Sequence, residues 1–256
     1  MSSGRQPWIP QQLRDYGLTV VEHGGWDTRG STGFDPSGVL IHHTGGPQGS
    51  PAPSLGICIN GRGGPNPVPG PLCHILIGRD CVCHVIAAGR ANHAGVGGPL
   101  LGIPKDQGNQ YLLGIEEEND GTGQETRTPE QLQTLTLTAA ALMNHLNAPE
   151  ELCLGHKEWT TRKPDPVNLD MSTFRAAVTA ARAAHNQGAP AMPSIDDYGS
   201  AMRDLDEFYL LIRGTLPTPE ERAVWGENLL GSLTRSEPLT PTFEYIVWAL
   251  RGEKAK

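Results

Sequence analysis

The sequence has few aromatic residues and fewer basic residues than acidic ones. Aromatic residues make up 5% of the chain, and 20 Lys and Arg stand against 28 Asp and Glu. Proteins that bind nucleic acid usually carry a basic stripe or arm, and this sequence shows neither. The net charge of −8 also provides no attraction toward an anionic surface. We therefore expect no nucleic-acid partner.

Long apolar runs and a secretory leader are also missing. No stretch of about 18 apolar residues occurs, so we expect no membrane span. The opening residues MSSGRQPWIPQQLRDYG lack the apolar segment of a signal peptide, so none is expected. The five cysteines are odd in number and lack the spacing of an extracellular disulfide framework. This usage predicts reduced thiols and synthesis in a cytosolic compartment.

Abundant glycine and proline, 32 and 22 residues, divide the chain into short elements. Apolar stretches predict buried strands at GVLIHHT and YLLGIEEEN and a hairpin at LCHILIGRDCVCHVI. Residues 45–71 predict a long surface loop. The segment TPEQLQTLTLTAAALMNHLN predicts a helix whose capping box joins Thr128 to Gln131. A further helix is predicted at STFRAAVTAARAAH.

Strands alternating with helices predict an α/β domain over residues 1–185. The segment NQGAPAMPS lies within a predicted linker, residues 186–194. Three short helical patterns then predict a small helical unit over residues 195–256. Its aromatic residues allow two interpretations, a binding face for cell wall or partner and the core of a small bundle. We favour the core for most of them.

The segment GHKEWTTRKPDP, residues 155–166, combines metal-binding residue types with a stiff backbone. Pro164 and Pro166 flank Asp165, and a proline disfavours helix in the residue before it. We therefore expect Asp165 in an extended loop. His156 lies nine residues earlier, after a predicted strand end. Together they predict two metal ligands.

A third ligand is expected from the pair His42 and His43, which ends the predicted strand GVLIHHT. Adjacent strand residues face opposite sides, so only one of the two can join a given metal. The alternative is a pair of ordinary strand-end histidines. Two imidazoles, one carboxylate and an open position for water describe a hydrolytic zinc centre.

A hydrolytic zinc centre benefits from a proton acceptor and from a cation near the developing oxyanion. The acids of GIEEEND end a predicted strand, where Glu116 and Glu118 share one face and Glu117 takes the other. Lys163 is the natural partner for the oxyanion. The alternative for Lys163 is an ordinary solvated surface lysine.

Five short motifs follow one another along the chain: VLIHHT, HILIGRD, NHAGV, LGIEEEN and LGHKEWTTRKPDP. Their residues and order resemble the zinc-dependent N-acetylmuramoyl-L-alanine amidases of type 2. This family includes phage endolysins and is related to peptidoglycan recognition proteins. The stretch LRDYGLTVVEHGGWDTRG also looks like the start of actinobacteriophage lysins. The resemblance covers roughly residues 18–182 and implies a central mixed β-sheet flanked by helices.

The resemblance also implies roles for individual residues. His42, His156 and Asp165 match the family's ligands for Zn²⁺. Glu116 matches its catalytic acid, and Lys163 matches the lysine that stabilises the transition state.

Three further side chains, those of Thr44, His74 and His93, are expected to contact the substrate. If His74 faces the cleft, the adjacent Cys73 packs in the core, so these two do not form a nucleophile and base pair. Many relatives have an aromatic residue where this chain has Asn92. Contacts with the wall peptide are therefore expected to differ there.

The implied activity is hydrolysis of the amide between N-acetylmuramic acid and L-alanine in peptidoglycan. The likeness to endolysins implies a phage enzyme that is made in the host cytoplasm and reaches the cell wall after holin-type release. Two alternatives remain: a recognition module that binds peptidoglycan without turnover, and a cytoplasmic amidase that recycles muropeptides. The helices of residues 195–256 are a possible contact for a cell-wall polymer.

Overall fold

The computed structural model describes residues 4–186. Its strands are β1 (Val20–Glu22), β2 (Gly38–His43), β3 (Gly61–Arg62), β4 (Val68–Pro69), β5 (Ile75–Ile77), β6 (Cys83–Val85), β7 (Leu112–Glu117) and β8 (Cys153–Gly155). Its helices are α1 (Ile9–Asp15), α2 (Leu55–Asn60), α3 (Gly108–Tyr111), α4 (Pro129–His145), α5 (His156–Trp159) and α6 (Met171–Asn186), with a 3₁₀ turn at Glu150–Leu152.

Six strands form a mixed sheet in the order β1-β6-β5-β7-β2-β8. The central strand β2 runs parallel to both β7 and β8, and β5 runs parallel to β7. Strands β5 and β6 form the antiparallel hairpin that the sequence predicts. Central parallel strands are covered on both faces, which explains why β2 and β7 read as nearly continuous apolar runs. The predicted mixed sheet with flanking helices is confirmed.

Helix α4 covers one face of this sheet. The Cys83 thiol on β6 lies 3.4 Å from the Thr138 hydroxyl on α4, which identifies the covered face. His42, Glu116 and Leu76 lie side by side in the strand register, and strand alternation places them on the opposite face. The side chains of His42 and Glu116 therefore lie on the face of the sheet away from α4.

Helix α2 corrects the expectation that residues 45–71 form a loop throughout. Its Cys58 packs with Cys73, Leu76 and Ile86 in a buried apolar cluster. The same stretch also contains the small antiparallel pair of β3 and β4. A six-residue helix is too short to be stable alone, so tertiary packing rather than local propensity creates it.

The long helix α4 begins with the predicted capping box, which is confirmed. The Thr128 hydroxyl accepts a hydrogen bond from the Gln131 backbone N–H at 3.2 Å. The Gln131 side-chain oxygen accepts one from the Thr128 N–H at 2.9 Å. At the other end of the helix, exposed His145 stacks on Trp8 with ring centroids 3.7 Å apart.

The predicted helical unit of residues 195–256 lies outside the described residues, as does the predicted linker apart from Asn186. Across residues 4–186, no helix is both long enough and apolar enough to cross a membrane.

The cap of α4 gives a stability prediction. Replacing Thr128 with Ala removes a side-chain acceptor from the helix start, and we expect the free energy of unfolding to fall by about 1 kcal/mol. Urea denaturation measures this change. Thr126→Ala is the matched control, because exposed Thr126 stands two residues earlier and outside the cap. Equal losses in both variants would show that the cap contributes nothing.

Candidate active site

Three buried side chains converge at the open face of the sheet. His42 lies at the end of β2, His156 is the first residue of α5, and Asp165 lies in the loop after α5. The His42 Nδ1 atom lies 2.9 Å from His156 Nδ1 and 3.1 Å from Asp165 Oδ2. His156 Nδ1 lies 2.9 Å from the same carboxylate oxygen. The three atoms therefore face one common point.

Parallel pairing of β2 with β8 brings two of these residues together. Ile41 lies opposite Gly155 in the register, so the residues that follow them, His42 and His156, lie at the same end of the two strands. In parallel sheets, functional side chains from distant parts of a sequence meet at the carboxyl ends of the strands.

The second nitrogen of each imidazole is already occupied. His156 Nε2 lies 3.1 Å from the Ala94 carbonyl oxygen, which can only accept, so this nitrogen carries the hydrogen. His42 Nε2 lies 3.1 Å from His93 Nδ1. When His42 donates this hydrogen bond, both ligand candidates direct an unprotonated Nδ1 toward the Asp165 carboxylate.

The protonation states of the cluster suit metal binding. Burial lowers the pKa of His42 to about 4, although Asp165 acts in the opposite direction. Burial alone would raise the pKa of the Asp165 carboxyl, but His156 and His42 outweigh burial and hold that pKa well below its usual range. A neutral imidazole and an ionised carboxylate are the forms that bind metals.

The spacing and chemistry of the three atoms fit a bound cation. Two nitrogen lone pairs and an anionic oxygen repel one another at 2.9–3.1 Å unless a proton or a metal ion lies between them. Ligands of a tetrahedral ion with bonds of about 2.0 Å lie roughly 3.3 Å apart, close to these separations. His42, His156 and Asp165 can therefore hold a metal ion.

Glu116 stands beside the three residues because β7 pairs with β2 in register with His42. Its side chain is partly exposed, yet its Oε2 atom is buried and has no hydrogen-bond partner among the described residues. Burial, together with Cys58 and Asp165, raises the pKa of Glu116 well above its usual range, and Lys163 partly offsets this rise. Such a carboxyl group is suited to exchanging protons.

Lys157 fixes the loop that carries Asp165. Its ammonium group donates to the Pro166 carbonyl at 3.0 Å and to the Leu169 carbonyl at 2.7 Å. Its backbone N–H donates to the Asp165 carbonyl at 2.7 Å. No sequence pattern indicates this role of Lys157, because its hydrogen-bond partners are backbone carbonyls.

A second brace holds the same loop from the other side. The Val167 N–H donates to His43 Nδ1 at 3.2 Å, and Arg127 donates to the Val167 carbonyl at 2.7 Å. Arg127 also forms an ion pair with buried Glu117. His43 therefore supports the loop while His42 joins the cluster, as strand alternation requires of adjacent residues.

Lys163 lies in the same loop with its side chain exposed. Its charge lowers the pKa of both His42 and Glu116. Within residues 4–186 its ammonium group makes no hydrogen bond or ion pair. The Lys163 ammonium group therefore lies near the cluster and is not bound to another side chain of residues 4–186.

The geometry of this site agrees with a comparison of the sequence with known families. The Amidase_2 family, described as N-acetylmuramoyl-L-alanine amidase, matches residues 32–168, which is more than half of the chain. The chain belongs to this family. The predicted relationship to N-acetylmuramoyl-L-alanine amidases is therefore confirmed, and with it the prediction that the chain is an enzyme.

Several solved amidase structures resemble this amidase. A selenomethionine derivative of AmpD is 25% identical with a TM-score of 0.47, covering 62% of this chain and 93% of its own. The endolysin LysCS from Clostridium intestinale is 23% identical with a TM-score of 0.45, covering 63% of this chain and 95% of its own. The catalytic domain of XlyA is 17% identical with a TM-score of 0.45, covering 63% and 99%. A search of curated proteins found no match.

His74 corrects one expectation about substrate contacts in this amidase. Its side chain is completely buried, so it presents no atom to a substrate. Its Nδ1 accepts a hydrogen bond from the Gly114 N–H at 2.8 Å, and its ring stacks on Phe34 with centroids 4.8 Å apart.

Thr44 and His93 are also engaged within the protein. The Thr44 hydroxyl donates to Glu118 Oε2 at 2.7 Å and accepts from the Gly46 N–H at 3.1 Å. Both ring nitrogens of His93 have protein partners. Their predicted contact with substrate remains a prediction.

The two lysines of the Asp165 loop give a paired prediction for this amidase. Lys157→Met removes two hydrogen bonds donated by a charged group, and we expect the free energy of unfolding to fall by about 2 kcal/mol. Lys163→Met is the matched control and is expected to leave stability unchanged. Urea denaturation of both variants measures the difference, and equal stabilities would contradict the bracing role of Lys157.

Proposed function

We propose that this amidase uses zinc to cleave the amide between N-acetylmuramic acid and L-alanine in peptidoglycan. One observation carries the proposal. Two imidazole nitrogens and a carboxylate oxygen converge at 2.9–3.1 Å beside Glu116 Oε2, which has no hydrogen-bond partner within residues 4–186. A set of acceptors next to a carboxyl group of raised pKa is what metal-assisted amide hydrolysis requires.

His42, His156 and Asp165 would hold the zinc ion. Two nitrogens and one oxygen are a catalytic ligand set that leaves a fourth position for water or substrate. When bound, zinc supplies an activated water and polarises the scissile carbonyl. The second partners of the imidazoles, Ala94 O and His93, keep both rings oriented toward the common point.

Glu116 would act as the proton carrier. Its Oε2 atom would accept a proton from the attacking water as the tetrahedral species forms. The raised pKa then favours holding that proton until it passes to the leaving amine of L-alanine. One carboxyl group therefore serves as base and then as acid.

Lys163 would stabilise the developing oxyanion. Its ammonium group lies in the field of both His42 and Glu116 and has no structural partner within residues 4–186. A positive charge close to a developing oxyanion lowers the energy of a negatively charged transition state. The presence of the proposed ligand Asp165 and of Lys163 favours catalysis over a recognition module that only binds.

We propose a phage endolysin as the biological setting, made in the host cytoplasm and acting on the cell wall after holin-type release. The stretch over residues 13–30, which looks like the start of actinobacteriophage lysins, supports this setting. The alternative is a cytoplasmic amidase that recycles muropeptides. Intact sacculi should be the better substrate for an endolysin and soluble muropeptides the better substrate for a recycling enzyme, so relative kcat/KM on the two separates these roles.

Mass spectrometry of digested peptidoglycan tests the proposed reaction. We expect glycan strands with free lactyl carboxyl groups and stem peptides with a new N-terminal alanine. A chelator should abolish both products and added zinc should restore them. New reducing sugar ends would instead mean that a glycosidic bond is cleaved, and binding without any product would favour the recognition module.

Substitution of Glu116 tests its role as proton carrier. Glu116→Gln keeps the size of the side chain but removes its proton-accepting ability, and we expect kcat to fall by about 10²- to 10⁴-fold. Zinc binding should persist, because Glu116 is not among the proposed ligands. Exposed Glu151 provides the control Glu151→Gln, which should retain wild-type activity. Full activity of Glu116→Gln would refute the assignment.

A further inference from the structure

Both ring nitrogens of His93 are committed to hydrogen bonds that define its tautomer. His93 Nε2 lies 3.1 Å from the Leu112 carbonyl oxygen, an obligatory acceptor, so this nitrogen carries the hydrogen. A neutral His93 then has a lone pair at Nδ1, which lies 3.1 Å from His42 Nε2. The hydrogen of that bond must come from His42, and His42 Nδ1 is left unprotonated on the side of the cluster.

The position of His93 is fixed by its surroundings. The backbone N–H groups of His93 and Ala94 both donate to Asn109 Oδ1, at 2.9 and 2.7 Å. The ring lies edge-to-face against His42, with centroids 5.2 Å apart. It also lies directly over Gly114, where a Cβ atom would come within 2.6 Å of His93 Cγ. Only glycine at position 114 leaves room for the ring.

Two consecutive residues, His93 and Ala94, thus form the outer hydrogen bonds of the two imidazoles in the cluster. The His93 side chain engages His42 Nε2, and the Ala94 carbonyl engages His156 Nε2 at 3.1 Å. Asn109 anchors both residues through one oxygen atom. Residues 93 and 94 of the NHAG motif therefore support the cluster.

We propose that His93 is a positioning residue of the metal centre, accepting the Nε2 hydrogen of His42 and so directing His42 Nδ1 toward the metal. The inference rests on the proposed function, because it requires His42 to be a ligand. Partners of this kind fix the tautomer and ring orientation of metal-binding histidines, and their loss typically weakens metal affinity about 10- to 100-fold.

Two substitutions separate the halves of the His93 ring. His93→Asn places an amide oxygen where Nδ1 stood and keeps an acceptor for His42. His93→Gln places its amide near the Nε2 position, where it can reach Leu112 O but leaves His42 Nε2 without its acceptor. Competition with a chromophoric chelator measures the zinc Kd of each full-length variant. We expect His93→Gln to bind about 10- to 100-fold more weakly, with His93→Asn near wild type.

A matched control is His145→Gln, which makes the same change in an exposed ring that stacks on Trp8 at the end of α4. Its zinc Kd should equal that of the wild type. Unchanged affinity in His93→Gln would overturn the inference, and so would equal weakening in His93→Asn and His93→Gln, because ring packing would then matter more than the acceptor. Wild-type protein that binds no zinc, or His42→Ala that binds as tightly as wild type, would overturn the proposed function and this inference with it.

The wild-type protein offers a direct readout that needs no variant. Long-range ¹H–¹⁵N correlation spectra of the zinc-loaded amidase should show the hydrogen of His42 on Nε2. A hydrogen on Nδ1 of His42 would overturn the inference even if every variant failed to fold.

Discussion

The mutual repulsion of three electron-rich atoms is the constraint on which this site depends. His42 Nδ1, His156 Nδ1 and Asp165 Oδ2 lie 2.9–3.1 Å apart in a buried position. Without a proton or a metal ion between the three atoms such a cluster is unfavourable, since water is excluded and the lone pairs oppose one another. The surrounding structure must therefore hold all three groups in place before any ion binds, and much of it is arranged for that purpose.

Rigid elements supply most of this support. The register of β2 with β8 and β7 places His42, His156 and Glu116 together at the carboxyl ends of these strands. Asp165 lies on a loop, which is a weaker support than a strand, and two braces compensate for this. Lys157 holds the loop through three hydrogen bonds, two from its ammonium group and one from its backbone N–H, and Arg127 holds it through the Val167 carbonyl. A precise metal geometry requires such a second layer of contacts.

Much of the fold followed from local pattern. The apolar runs of β2 and β7, the β5–β6 hairpin and the capping box at Thr128 each depend on neighbouring residues, and each is present as predicted. Helix α2 was not predicted, because its stability comes from packing of Cys58 against the sheet. Short elements in segments rich in glycine and proline carry little local signal.

The sequence by itself determined which residue types were available for the chemistry and, through strand alternation, that only one residue of the pair His42 and His43 could join the cluster. Only the tertiary structure decided what each polar side chain does. His74 and His93 look equivalent in the sequence, yet one is buried against Phe34 and the other engages His42. Lys157 and Lys163 differ in the same way, because hydrogen-bond partners come from segments far apart in the chain and no local pattern encodes their approach.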